Sequence, residues 1–159
     1  MNQPKKESEL ILAVRSAIED RAAVLFFLFR EMKKVYGAAK AEKLARQAIF
    51  KFGIFKARKR GRVNTPDKWA KQHMGSVSGK VFRSKSAKIE KKESELNFYY
   101  CPLVDAWKKL GATKKEIALL CDIAMEGDRG RASVERFKVE LPQTIGCGDS
   151  YCRLILKLN

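Results

Sequence analysis

The sequence predicts an α+β protein, with N-terminal helices followed by an antiparallel sheet that has further helices packed on it. Three observations carry this expectation. Apolar residues recur at spacings of three and four through roughly the first half of the chain, which is the period of a helical face. Beyond residue 80 the pattern alternates in part and is richer in β-formers, and prolines and glycines divide the remaining chain into short pieces. The length of 159 residues is enough for one domain with a real core, so residues 1–159 are read as one α+β unit. Its first part, 1–79, is mainly helical and basic, and 80–159 holds the sheet and the cysteine motifs.

The first helix is marked by Leu10, Ile11, Val14, Ala17, Ile18, Val24, Leu25, Leu28, Met32 and Val35, with Ser8 as N-cap and Gly37 as stop. Phe26, Phe27 and Phe29 widen the stripe, so this helix is expected to be buried on more than one side. A second helix runs from Ala38 to near Ala57 with Ala41, Leu44, Ala45, Ala48, Ile49, Phe52 and Phe55 inward; Gly53 marks a break or a close helix contact. Thr65-Pro66 opens a short helix holding Trp69, His73 and Met74, and Gly75–Gly79 reads as a flexible connection. Val81–Ile89 and Glu95–Tyr100 form a hairpin around Lys91–Ser94. Pro102 starts a helix closed by Gly111, and Thr113 caps the next, which carries Ile117, Leu120, Cys121 and Ala124. Gly127–Gly130 is expected to be a loop, Val134–Leu141 a strand, Pro142–Asp149 a connector, and Tyr151–Leu158 the last strand.

Charge excludes some functions and leaves others. The formal net charge is +16. Residues 1–92 hold 24 basic against 8 acidic side chains, whereas 93–159 hold ten of each. The surplus therefore lies outside the motif-bearing part and reads as a basic surface that draws in small anions. Nucleic acid is expected to bind only nonspecifically: Phe50, Phe52 and Phe55 fall at core-like spacing, and no helix-turn-helix or zinc-finger signature accompanies the charge. No membrane partner is expected, since the longest apolar run, Ala22–Phe29, is far short of the roughly 20 residues that span a bilayer. With no visible signal peptide, the expected location is cytoplasmic, and the cysteines are read as reduced thiols.

Three short constellations carry potential chemistry. Cys101 lies where a strand hands over to a helix, and a thiol beside unpaired helix N–H groups is biased toward thiolate; the alternative is a small core thiol. Cys121 and Met125 share a helix face, with Asp128 in the following loop free to point into a cleft. Cys147, Gly148, Asp149 and Cys152 lie in a glycine-rich segment, where Asp149 either serves a ligand or caps the turn and Cys152 either reacts or belongs to the core. His73 is the sole imidazole, so any Cys–His pair must use it.

Taken together these pieces resemble the L-2-amino-thiazoline-4-carboxylic acid hydrolase family. The resemblance rests on Cys101-Pro102 with Trp107 and Gly111, on Leu120-Cys121-Asp122 with Asp128, and on Thr144-Ile145 followed by Gly148-Asp149-x-x-Cys152. Cys147 falls outside it. The resemblance implies hydrolysis of a C–N bond in a small cyclic amidine-like carboxylate. Cys101, Cys121 or Cys152 would be the nucleophile, Asp128 or Asp149 would position water or a proton, and Gly148 and Trp107 would border the substrate, with His73 as the one available imidazole. The ending is also distantly similar to the small-molecule-binding domain associated with vinyl reductases. That likeness implies the alternative, a binding or sensor module without turnover. No cofactor is expected for the hydrolase; in the alternative, three thiolates with His73 make a tetrahedral zinc site. The long first helix leaves room for a homo-oligomer.

Overall fold

The computed structural model describes residues 3–158, with side chains from Ser8 onward. In chain order the elements are α1 (Gln3–Tyr36), α2 (Ala38–Arg60), α3 (Pro66–Met74), α4 (Val77–Val81), β1 (Ser84–Ile89), β2 (Glu93–Phe98), α5 (Pro102–Lys109), α6 (Lys114–Glu135), β3 (Phe137–Gln143) and β4 (Cys152–Leu158). A single 3-10 turn, Ile145–Cys147, precedes β4. The strands form one four-stranded antiparallel sheet in the order β1-β2-β4-β3. This is the expected α+β arrangement of helices followed by an antiparallel sheet.

Local chemistry explains most of the boundaries. Gly37 at φ +79° ends α1, and Gly61 at φ +81° ends α2. Pro66 and Pro102 occupy first helical positions, where a missing N–H costs nothing. Thr113 and Glu116 make a reciprocal capping box at the start of α6, and Arg30 of α1 clamps the same glutamate at 3.0 Å.

Several expectations are corrected. α1 begins at Gln3, so Ser8 is inside the helix rather than its cap. The Gly75–Gly79 segment includes the start of the short helix α4, where Gly79 packs against the His73 and Met74 carbonyls. β1 begins only at Ser84, because Phe82 caps α4 and Arg83 turns the chain at φ +50°.

The largest correction concerns Gly127–Gly130, which is not a loop. α6 continues through it to Glu135 and closes on Arg136 at φ +61°, which delays β3 to Phe137. The glycines are there for packing: a Cβ on Gly53 would strike the Gly127 carbonyl, and one on Gly130 would strike the Phe50 carbonyl. α2 and α6 thus cross backbone to backbone.

That close crossing also changes which faces are buried. In α2 the buried residues are Ala41, Ala45, Gly53 and Ala57, while Leu44, Phe52 and Phe55 are partly or largely exposed. In α1 the buried set is Ala22, Phe26 and Phe29, and the apolar residues Val24 and Leu28 stay 65% and 55% exposed. In α2 small residues take the innermost positions because it lies so close to α6, and larger ones are displaced to the rim; in α1 Phe26 and Phe29 fill the interior.

Two core clusters result. One joins the helices through Ala22, Phe26, Ala45, Val104, Trp107, Leu120 and Ile123. The other joins α3 and the tail of α6 to the sheet through Trp69, Ala70, Leu96, Ala132, Phe137, Leu154 and Leu156.

Candidate functional site

Between the two clusters lies a cavity of about 350 Å³, within the range of small-molecule sites. It brings together Cys101, Cys121, Cys152, Asp128, His73 and Trp107. Its apolar walls include Val14, Ile18, Phe82, Phe98, Leu103 and Leu154, and its charged side chains are Arg21, Lys56, Arg60, Arg131 and Asp128.

Asp128 reaches the cavity from α6, which lies close against α2 because Gly53 and Gly130 carry no Cβ. Burial pushes its carboxyl above the usual carboxylate range, opposed by Arg131, Lys56, Arg21 and Arg129. Arg21, though exposed as a residue, is held below the usual guanidinium value by the protein packed around it, against the attraction of Asp128; Lys56 is held below the usual amine value by burial and then by Arg60 and Arg21. Among the described residues neither Arg21 nor Lys56 forms a salt bridge; each lies instead over the Phe52 ring, at 6.0 and 5.6 Å. Arg131 is already engaged, pairing with the buried Glu135 at 3.1 Å and covering Trp69 at 4.9 Å.

The thiols share the cavity but not a reactive state. Cys101 occupies the N-cap position of α5, as the sequence suggests, yet burial outweighs the Val104 and Leu103 N–H groups and pushes the thiol up to about 12. The expected thiolate bias is therefore reversed. Burial likewise pushes Cys121 up to about 11 and raises Cys152. Cys152 Sγ accepts from the Ile145 N–H at 3.3 Å, and Gly146 leaves room for Cys121, since a Cβ there would lie 2.5 Å from the Cys121 Cβ. Cys147 is exposed and outside the cavity.

His73 does not pair with a thiol. Its ring stacks on Trp69 with centroids 5.4 Å apart, and its Nε2 is 2.9 Å from the Ser84 hydroxyl. Burial, then Arg131 and Arg60, lower its pKa to about 4, so it is neutral at physiological pH. Trp107 turns its indole N–H to the Ala22 carbonyl at 2.9 Å and is fully buried. Asp149 lies outside the cavity, where its Oδ2 accepts from the Thr144 N–H at 2.8 Å. Gly148, at φ +105°, ends the adjacent 3-10 turn. No group of three or more His, Cys, Asp or Glu side chains is close enough to hold a metal ion among the described residues, so the Cys3His arrangement is not assembled. Among the described residues no helix is long and apolar enough to cross a membrane.

The sequence motifs assign none of the cavity's cations to the site. Arg21 heads the longest apolar run, and Asp128 and Arg131 stand three apart on what proves to be one helix; both signals were present, the second hidden by the expected loop.

The fold is that of an α+β protein with a cavity between its two cores, lined by apolar side chains, four cations and Asp128. Two solved structures are similar to it. The phenol-responsive sensory domain of the transcription activator PoxR, with phenol, matches with a TM-score of 0.56 at 17% identity over 86% of this chain and 73% of that one. A trafficking protein particle complex subunit 3 from Naegleria fowleri, covalently bound to palmitic acid, matches with a TM-score of 0.57 at 16% identity over 89% and 94%. Among curated protein sequences none matches the chain. The chain belongs to the L-2-amino-thiazoline-4-carboxylic acid hydrolase family, whose model matches residues 15–156. The family relation thus extends well into the helical, basic part that the sequence motifs left aside.

Proposed function

We propose that this protein binds a small, apolar-bodied carboxylate in the cavity between its two cores. The observation that carries this reading is an excess of cations around one carboxylate: Arg21, Lys56, Arg60 and Arg131 line the chamber with Asp128, and among the described residues Arg21 and Lys56 form no salt bridge. Asp128 offsets part of this positive charge, and a bound carboxylate supplies a further counter-charge through strong, charge-assisted hydrogen bonds. The similar folds crystallised with phenol and with palmitic acid support a role in holding small apolar molecules. We place this activity in the cytoplasm and assign it to the whole chain acting as one α+β unit.

The family name favours a second step, hydrolysis of a cyclic C–N bond. In this reading Asp128 is the acid–base group: its raised pKa strengthens it as a base, and the cations around it keep the ionised form accessible. Asp128 takes a proton from water as the oxygen attacks the amidine carbon and passes it to the ring nitrogen; it then takes the proton of the new hydroxyl and delivers it to that nitrogen as the carbon–nitrogen bond breaks, leaving a carbonyl and an amine. The thiols serve as protonated walls, because groups pushed up to about 11 and 12 supply little thiolate near neutrality.

Calorimetric titration of small aromatic and thiazoline carboxylates into the protein tests the first step. Binding is expected to weaken at least tenfold in Arg21→Gln and in Lys56→Gln, and equal affinity for the uncharged amides would overturn it. A ring-opening assay tests the second step. Asp128→Asn is expected to lose more than about 100-fold in rate, whereas full activity in that variant, or loss in Cys101→Ser alone, would return the reaction to a thiol.

A further inference from the structure

A second hollow, of about 420 Å³, opens between α1, α2 and α6 on the outer side of the same cations. Its walls are Val24, Leu25, Leu28, Ala48, Ile49 and Phe52, and it shares Arg21, Lys56, Arg60, Leu103, Ala124, Asp128 and Arg131 with the inner cavity. The two chambers therefore meet at the charged junction. The outer one is an open apolar trough, with Val24, Leu28 and Phe52 exposed at 65%, 55% and 39%. These side chains lie in the part of the chain that carries the whole excess of positive charge, where a water-facing apolar strip is out of place unless something covers it.

We propose that the ligand is a long-chain amphiphile, a fatty carboxylate whose head sits at the Arg21–Lys56 junction and whose tail lies along the α1–α2–α6 trough. This rests on the carboxylate-binding reading above and extends it from a small acid confined to the inner chamber to one with an alkyl tail. Charge complementarity selects this occupant. The junction holds Arg21, Lys56, Arg60 and Arg131 against Asp128, so an acid finds a net positive site for its head while its hydrocarbon covers Val24, Leu28 and Phe52. A second copy of the chain would bring another surplus of positive charge to the same face.

The test is a calorimetric series of straight-chain carboxylates, from hexanoate to dodecanoate, against the full chain. Affinity is expected to rise by up to about fourfold for each methylene that enters the trough. Ala48→Phe, at an exposed trough position away from the inner cavity, is expected to abolish that gain while leaving hexanoate binding unchanged. Leu28→Glu is a second variant with the same expected outcome. Arg21→Gln is expected to weaken every member of the series alike. If hexanoate binds but affinity is flat with length, the tail site is wrong and the inner carboxylate site stands. If no carboxylate binds, both are wrong. Equal binding of primary alcohols of the same length would remove the role of the junction. A concentration-dependent dimer in sedimentation that Ala48→Phe dissolves would show that a second copy covers the trough, and would overturn the proposal.

Discussion

Gly127-Asp128-Arg129-Gly130 and Gly146-Cys147-Gly148-Asp149 look alike as strings, each an aspartate among glycines, and both read as flexible segments. The fold uses them in opposite ways. In the first, both glycines lie inside α6, and Gly130, with Gly53 of α2, lets the two helices approach until carbonyl and Cα nearly touch, which carries Asp128 into the cavity. In the second, Gly148 takes a left-handed turn, and Asp149 ties the chain back to the Thr144 N–H outside the cavity. A glycine that removes a Cβ for packing and a glycine that supplies a positive φ have different neighbours, and only the first kind places a functional group here.

Alanine distinguishes the two uses most sharply. Gly130→Ala would set a Cβ against the Phe50 carbonyl, where no side-chain adjustment can relieve it, and is expected to cost about 3 kcal/mol or more. Gly53→Ala should behave alike against Gly127. Gly148→Ala meets open space and carries only its backbone strain, about 1 kcal/mol. Urea unfolding of the three variants checks the order. A Gly148 cost equal to that at Gly130 would mean that the helix crossing is looser than described.

The next effect separates a buried cavity group from the solvent-side turn by pH. His73 has a folded pKa of about 4 against about 6.5 unfolded, so the unfolded chain gains its proton first as pH falls. Stability is therefore full above about pH 6.5 and is lost below it, by about 2 kcal/mol at pH 4.5. Asp128 and Glu135, raised by burial, act in the opposite direction, but both remain in His73→Gln. The difference in pH slope between that variant and the native protein isolates the imidazole. Parallel slopes would place His73 in water.

The same contrast explains what the sequence made legible. Helix starts were readable because Thr113 with Glu116, Pro66 and Pro102 are local signals whose chemistry acts within one turn. The hairpin was readable from its change of period. The run through 127–130 was not, because a helical glycine is penalised by about 1 kcal/mol locally and is repaid by a partner helix about 75 residues away in the chain. For the same reason periodicity places Leu44 and Phe52 inward, whereas close approach reserves the interior face of α2 for alanine and glycine. The cavity-facing Cys101, Cys121, Cys152, His73 and Asp128 were recognisable by type. Arg21 and Lys56 were not, since their meaning comes from two helices facing each other across the Asp128 carboxylate.

The two aspartates give a smaller but cleaner comparison. Asp149→Ala leaves the Thr144 N–H without its charged acceptor and is expected to destabilise by about 1.5 kcal/mol with carboxylate binding unchanged. Asp128→Asn breaks no hydrogen bond or salt bridge to the described residues and should shift the midpoint little while altering ligand affinity and turnover. Measured together, the two variants separate stability from function at residues of one type. Reversal of the pattern would exchange their roles.

The thiols extend the comparison to groups with almost no weight in stability. Cys147 on the turn is exposed, whereas Cys121, against the neighbouring Gly146, is buried with its pKa pushed up to about 11. At pH 8 a thiol of that pKa is thiolate in only about one molecule in a thousand, before any steric protection is counted. Iodoacetamide is therefore expected to label one cysteine of the native protein, Cys147, and all four after denaturation, as read by intact mass and peptide mapping. A bound carboxylate should slow Cys101, Cys121 and Cys152 further without changing Cys147, since only those three cysteines line the cavity. Rapid native labelling of Cys101 would mean that the cavity is open to reagent and that its thiol is activated, and would move the catalytic assignment from Asp128 to the sulfur.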